Sequence, residues 1–186
     1  MAGVGGGKVR GLLVNGGDFT QSVVAAWRTS NGVTVTLVRH IPDPIWTAPI
    51  PGVARKSIAM ICGHLHNARC AWLRTLGQPH GIAVPAAVDR RTVARRQLVA
   101  ALDRSSRAME ELLRFGCLHD GQIPPTPKYV WRNLALDVGH VLTYFVAHEA
   151  HHRGQIVMVA RQLGTRLPAD VTNGLWQWKP RNPNTR

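Results

Sequence analysis

The sequence predicts an all-α protein arranged as a four-helix bundle, and three observations favour this class. Four segments repeat apolar residues at intervals of three and four, which is the period of an amphipathic helix. Proline-bearing connections separate the four segments. A single short segment alternates as a β-strand would, and one strand without a partner does not form a stable sheet.

The first helix is predicted over residues 18–40, where Phe19, Val23 and Trp27 keep helical spacing. Residues 33–37 within it are β-branched and alternate, which taken alone is typical of a strand. We interpret them as helical because no second strand is available to pair with them. Residues 41–53 are predicted as a loop, because their four prolines exclude regular structure.

The second helix is predicted over residues 57–76, with Ser57 as its N-cap and Gly77 at its end. His64 and His66 flank its apolar face on opposite sides. At about 100° per residue they lie about 200° apart around the axis, so both cannot face one site. The periodicity alone does not choose between them.

The third helix is predicted over residues 89–115, with Asp89 as its N-cap and Gly116 at its end. Proline-containing loops at residues 78–88 and 119–128 precede and follow it. Its inner face is apolar and is formed by Val93, Leu98, Leu102, Met109, Leu112 and Leu113.

The fourth helix, predicted over residues 130–163 and ended by Gly164, is the segment around which the chain is organised. Two steps of its apolar stripe are polar: His148 and His152, one turn apart on the same face. Unpaired imidazoles in a core-facing seam are costly, and a metal ion would satisfy both. A third donor is then expected from another helix. The candidates are His64, His66 and His140.

The letters HEAHH at residues 148–152 also satisfy the zinc-protease pattern H-E-x-x-H. The longer form of that motif requires a glycine and a histidine where this chain has Gln155 and Met158, and no glutamate follows Glu149. We therefore reject the protease interpretation.

Tyr144 and Gln155 lie near the seam and could line a pocket. Glu149 lies about 60° from the seam centre and could orient a ligand or face solvent.

The 186 residues suffice for one domain with a sizeable core. We expect residues 1–17 to form a flexible glycine-rich leader, residues 18–178 a single metal-binding domain and residues 179–186 a polar tail. Residues 171–186 are predicted to be irregular and packed at their start. Three cysteines without C-x-x-C spacing favour a reduced, cytoplasmic compartment, and no apolar run is long enough to cross a membrane.

The net charge of +13 raises the question of a nucleic-acid partner. The basic residues cluster at two places, residues 90–96 and residues 179–186. Neither cluster carries interleaved aromatic residues or a known nucleic-acid motif. We interpret the charge as a solvated surface and do not expect a nucleic-acid partner.

Two segments, "HLHNARCAWL" and "HEAHHRGQI" followed by a helix ending in "LG", resemble the DinB/YfiT superfamily of metalloenzymes, with matching helix order and spacing across residues 18–164. The ending "GLWQW" resembles a DinB subgroup. The resemblance implies an up-down-down-up four-helix bundle that holds a metal through one histidine of the second helix and two of the fourth. The family's "N-x-R" begins three residues after the second-helix ligand. The implied ligands are therefore His64, His148 and His152, and not His66 or His151.

Three neutral imidazoles leave a coordination position open, and the donor set suits zinc, nickel, iron or copper. Relatives in this superfamily transfer or isomerise groups with a low-molecular-weight thiol such as bacillithiol or mycothiol. The first hypothesis is therefore a metal-dependent, thiol-dependent transferase acting on a small molecule. A metal-activated hydrolase is the second. A basic nucleic-acid-binding protein with structural histidines is the third. Because family members are often dimers, a homodimer is also an expectation of the resemblance.

Overall fold

The computed structural model describes residues 16–53, 55–127 and 133–181. Over these residues the secondary structure is helical, with one isolated β-bridge between Gln122 and Asp137 and no β-strand. The all-α prediction is therefore confirmed for this part of the chain. None of the helices within it has both the length and the apolarity needed for a membrane span. The predicted leader lies outside the described residues except for its last two, which begin the first helix.

Four long helices form the body of the protein, and two short ones accompany them. The helices are α1 (Gly16–Arg39), α2 (Asp43–Trp46), α3 (Ile58–Trp72), α4 (Arg95–Leu118), α5 (Val138–Gln162) and α6 (Ala169–Gly174). A π-helical turn, Leu73–Gly77, and a 3-10 turn, Gln78–His80, continue α3, and a second 3-10 turn, Lys179–Arg181, follows α6. Both α1 and α3 pack against α4 and α5, so residues from all four long helices enclose the core.

The helical interpretation of residues 33–37 is confirmed, because α1 continues without a break to Arg39. Val33 and Leu37, one turn apart, are both buried, so burial of one face stabilises the helix despite its β-branched residues. The prediction of a loop throughout residues 41–53 is wrong at α2. Pro44 lies in the first turn of α2, where a backbone N–H has no partner within the helix, so the missing N–H of proline costs nothing.

The start predicted for the third helix is wrong, because α4 begins at Arg95. Asp89 caps a preceding turn instead: its carboxylate accepts hydrogen bonds from the Arg91 N–H and the Thr92 hydroxyl, each at 2.9 Å. Gly116 lies inside α4 and does not end it. A Cβ at this position would lie 2.5 Å from Val138 Cγ1, so glycine allows α5 to start close against α4.

The start predicted for the fourth helix is also wrong, because α5 begins at Val138. Asp137 is its N-cap, and the Asp137 side chain accepts a hydrogen bond from the His140 N–H at 3.0 Å. Leu134 precedes the helix, and Val130 lies outside the described residues. Gly164 ends the helix as predicted, with a left-handed φ of 73°.

The buried stripe of α5 does not pass through the two histidines. It runs from Phe145 through Glu149 and Arg153 to Ile156, and all four side chains are buried. His148 and His152 lie beside it and are half-buried. The prediction that they occupy the core-facing seam is therefore wrong. Both a step of three residues from Phe145, to His148, and a step of four, to Glu149, fit the helical period, and the sequence alone does not choose between them.

The C-terminal segment contains more regular structure than predicted, since α6 and the last 3-10 turn interrupt it. Val171 of α6 is buried, whereas the Trp176 side chain is 81 % exposed. Pro168 is the N-cap of α6, and Pro180 lies within the 3-10 turn. Residues 182–186 of the predicted tail lie outside the described residues.

Candidate metal centre

Three histidine rings from two helices converge at one side of the protein. The Nε2 atom of His148 lies 3.3 Å from Nε2 of His64 and 3.2 Å from Nε2 of His152. The ligand atoms of the three residues all lie within 4.8 Å of one another. His64 comes from α3 and the other two from α5, one turn apart, so the packing of α3 against α5 assembles the cluster.

Two of the three spacings between the ring nitrogens match those expected around a metal ion. Imidazole nitrogens at about 2.0–2.1 Å from a tetrahedral zinc ion lie about 3.3 Å from one another. The two contacts of the His148 Nε2 atom, at 3.2 and 3.3 Å, agree with that spacing. The three histidines are half-buried, so the cluster is not sealed in the core. The cluster could therefore hold a divalent ion with a coordination position to spare.

The surroundings of His148 and His64 favour the neutral form of both rings. Burial, followed by the charges of His152 and His64, lowers the pKa of His148 from its ordinary value of 6.5 to about 4. Burial also lowers the pKa of His64, helped by His152 and by the nearby Arg90. His148 is therefore neutral at pH 7, which is the form that coordinates a metal.

Two side chains from α5 orient the α5 rings. The Nδ1–H of His152 donates to Gln155 Oε1 at 2.7 Å, which leaves the His152 Nε2 lone pair directed at the cluster. The Gln155 amide in turn donates to His151 Nε2 at 2.9 Å. The Tyr144 ring lies parallel to that of His148, with centroids 5.9 Å apart. Both residues that the sequence placed near the seam therefore contact the cluster.

Asn67 and Arg69, which served the sequence analysis only as family markers, have distinct structural roles. The Asn67 side chain forms two hydrogen bonds with the backbone of Val88, both at 2.9 Å. It fixes the loop that brings Arg90 against Gly63, where an added Cβ would lie 3.0 Å from Arg90 Cγ. Asn67 thus holds a positive side chain next to His64.

Arg69 belongs to a buried ionic network that the sequence analysis missed. Arg69 Nε donates to Glu149 Oε1 at 2.7 Å, and the Thr34 hydroxyl donates to Glu149 Oε2 at 2.8 Å. Glu149 therefore neither orients a ligand nor faces solvent, because its 1 % exposed side chain joins α1, α3 and α5. The sequence did contain a signal of this network. Glu149 and Arg153 are four residues apart and fall on the buried face of α5, where an acid and a base at this spacing can form an ion pair.

The remaining histidines considered as ligands lie elsewhere. His66 is buried against α4, where Nε2 donates to the Ala86 carbonyl at 2.9 Å and Nδ1 accepts from Ser105 at 3.1 Å. His140 is exposed and pairs with Asp137 at the start of α5. His151 is exposed and contacts Gln155. The structure thus brings together the three histidines implied by the resemblance and separates the alternatives.

A family model described as the DinB family matches residues 17–182, which is most of the chain and includes all three histidines of the cluster. No curated protein matches the sequence.

Proposed function

The chain belongs to the DinB family, and from this premise we propose that it is a metal-dependent enzyme in which His64, His148 and His152 hold one divalent transition-metal ion. The convergence of three histidine ligand atoms within 4.8 Å carries the proposal. Zinc, nickel and iron all suit a set of three imidazoles. When bound, the ion would act as a Lewis acid that lowers the pKa of a coordinated thiol or water.

We propose that the reaction is a transfer that uses a low-molecular-weight thiol as co-substrate. The resemblance to thiol-dependent relatives supports this class, and the half-buried position of the cluster is compatible with it. The same site would support hydrolysis if water took the place of the thiol, so the requirement for a thiol separates the two reactions.

Glu149 does not serve as the general base that H-E-x-x-H proteases place next to a ligand. Its side chain is buried, and its two oxygens accept hydrogen bonds from Arg69 and Thr34. Its role in the proposed enzyme is to fix α3 relative to α5. The Nε2 atoms of His64 on α3 and of the two histidines on α5 converge only when the two helices keep that alignment.

We extend the proposal to the whole molecule. Residues 18–178 form one metal-binding domain with its four long helices running up-down-down-up, as the family resemblance implies. The packing of α1 and α3 against both α4 and α5 supports this arrangement. A cytoplasmic location, supported by the free thiols of the three cysteines, and a homodimer complete the proposal.

Metal analysis of protein purified without a nickel column tests the proposal. We expect about one divalent ion per chain in the unaltered protein. His152→Ala should lose the ion because it removes one of the three ligands. His151→Ala is the matched control, because it removes the neighbouring exposed histidine and should retain the metal. A full metal complement in His152→Ala would reject the assignment.

A thiol screen on the metal-loaded protein tests the reaction class. We expect an electrophilic substrate to be consumed only when a small thiol is present, with the product carrying the thiol sulfur. Consumption at the same rate without thiol would indicate hydrolysis. DNA binding with a steep salt dependence in protein that lacks metal would favour the nucleic-acid hypothesis instead.

A further inference from the structure

A cavity lies on the opposite flank of α5 from the three histidines. Its volume is about 370 Å³, and α1, α5 and the C-terminal segment enclose it. Val146 in its wall is about 200° around the α5 axis from His148. Apolar walls surround a few polar groups. The walls include Val33, Val146 and Trp178, and the polar groups include Ser30, Arg153 and Lys179.

Arg153 is the buried polar group of this cavity, with 7 % of the residue exposed. In the part of the chain that the structure describes, both of its hydrogen bonds come from Nη1. That atom donates to Thr34 Oγ1 at 2.9 Å and to Ser30 Oγ at 3.5 Å. The Nε and Nη2 donors of the guanidinium group are therefore available to a ligand in the cavity.

The buried side chains behind the cavity carry a net positive charge. Arg69 lies 2.7 Å and Arg153 3.8 Å from carboxylate oxygens of Glu149, so two positive groups share one negative group. An excess buried charge is costly unless an opposite charge accompanies it. An anion in the cavity would neutralise the excess.

We propose that this cavity binds a small carboxylic acid, with the carboxylate against Arg153 and an apolar body against Val33, Val146 and Trp178. The planar fork of a guanidinium group matches a carboxylate. The mostly apolar walls favour an acid with a ring or branched chain over a free inorganic anion. The site does not include the three histidines, so it is independent of the proposed metal function.

Benzoate and its neutral analogue benzyl alcohol are the probes, and binding to the full-length chain is measured by titration calorimetry. We expect benzoate to bind at least tenfold more tightly than benzyl alcohol, because only benzoate supplies the missing charge. The affinity should be the same after chelator treatment and in His152→Ala. Equal affinity for both probes, benzoate binding that disappears with the metal, or no benzoate binding up to about 10 mM would overturn the proposal.

Two variants localise the binding. Arg153→Met should weaken benzoate binding roughly tenfold or more, whereas Arg161→Met, an exposed arginine on the same helix, should leave it unchanged. Ala26→Trp, at the exposed rim of the cavity, should block the cavity without altering Arg153 and covers the case in which Arg153→Met does not fold. Full benzoate affinity in Ala26→Trp would overturn the proposed location.

Discussion

Two polar clusters lie on adjacent faces of α5: the histidine cluster and the buried ionic network. Consecutive residues of the helix belong to different clusters. His148 and His152 present ring nitrogens to a half-buried site shared with α3. Glu149 and Arg153, each the next residue in the chain, lie in the interior and are almost completely buried. A rotation of about 100° per residue is enough to separate a candidate binding site from a structural network.

The two clusters also differ in how completely their polar atoms are paired. Both oxygens of Glu149 accept hydrogen bonds within the chain, so this carboxylate has a structural role. The three Nε2 atoms of the histidine cluster contact only one another in the described part of the chain. Converging ring nitrogens with no carboxylate or backbone partner among these contacts are suited to a cation. The difference indicates that pairing, and not residue type, separates the two roles.

The largest expected effect comes from breaking the buried network. Glu149→Gln should lower the free energy of unfolding of the metal-free chain by about 3 kcal/mol or more, because it leaves two buried guanidinium groups without their carboxylate. Asp43→Asn, which breaks the surface pair with Arg95, should cost less than about 1 kcal/mol. Urea denaturation of both variants checks this. Equal losses in the two variants would contradict the structural role assigned to the buried network.

A smaller effect is expected from the side chain that orients His152. Gln155→Ala should weaken metal binding by about 10–100-fold without removing a ligand, because His152 loses the acceptor of its Nδ1–H. Competition with a chelating dye measures the affinity. Gln162→Ala, an exposed glutamine at the end of α5, is the control. Unchanged affinity in Gln155→Ala would show that Gln155 does not orient the ligand.

The smallest expected effect is the pH dependence of the metal-free chain. The pKa of His148 is about 4 in the folded chain against an ordinary value of 6.5, so the unfolded chain binds more protons between these values. The stability contribution is fully present above pH 6.5 and is lost as the pH falls towards 4. The lowered pKa values of His64 and His66 act in the same direction.

Urea denaturation at pH 7 and pH 5 measures this dependence. The unaltered chain should be less stable at pH 5, and His148→Ala should show a smaller difference between the two values because its titrating group is gone. An identical difference in both proteins would mean that His148 is not desolvated in the way that the structure indicates.

Local sequence patterns predicted several of the helix ends and the pairing of His148 with His152. Ser57 caps α3, with its side chain accepting from the Met60 N–H at 3.3 Å, and Gly164 ends α5 with a left-handed φ. Such features depend on a residue and its immediate neighbours, so they are visible in the sequence. Asp89 was misassigned because an aspartate caps turns as well as helices.

The sequence by itself determined the all-α class and the pairing of His148 with His152, because apolar period and spacing along a helix are local features, and two of its segments carried the family resemblance. The helical period left the choice between His64 and His66 open, and the family resemblance implied His64. Tertiary packing decided the arrangement itself, because the rotation of α3 against α4 and α5 brings His64 to the pair and His66 to Ser105. It also decided that Glu149 is buried. The partners of Glu149 on α1 and α3 are 115 and 80 residues away in the chain, and no local pattern can specify contacts over such distances.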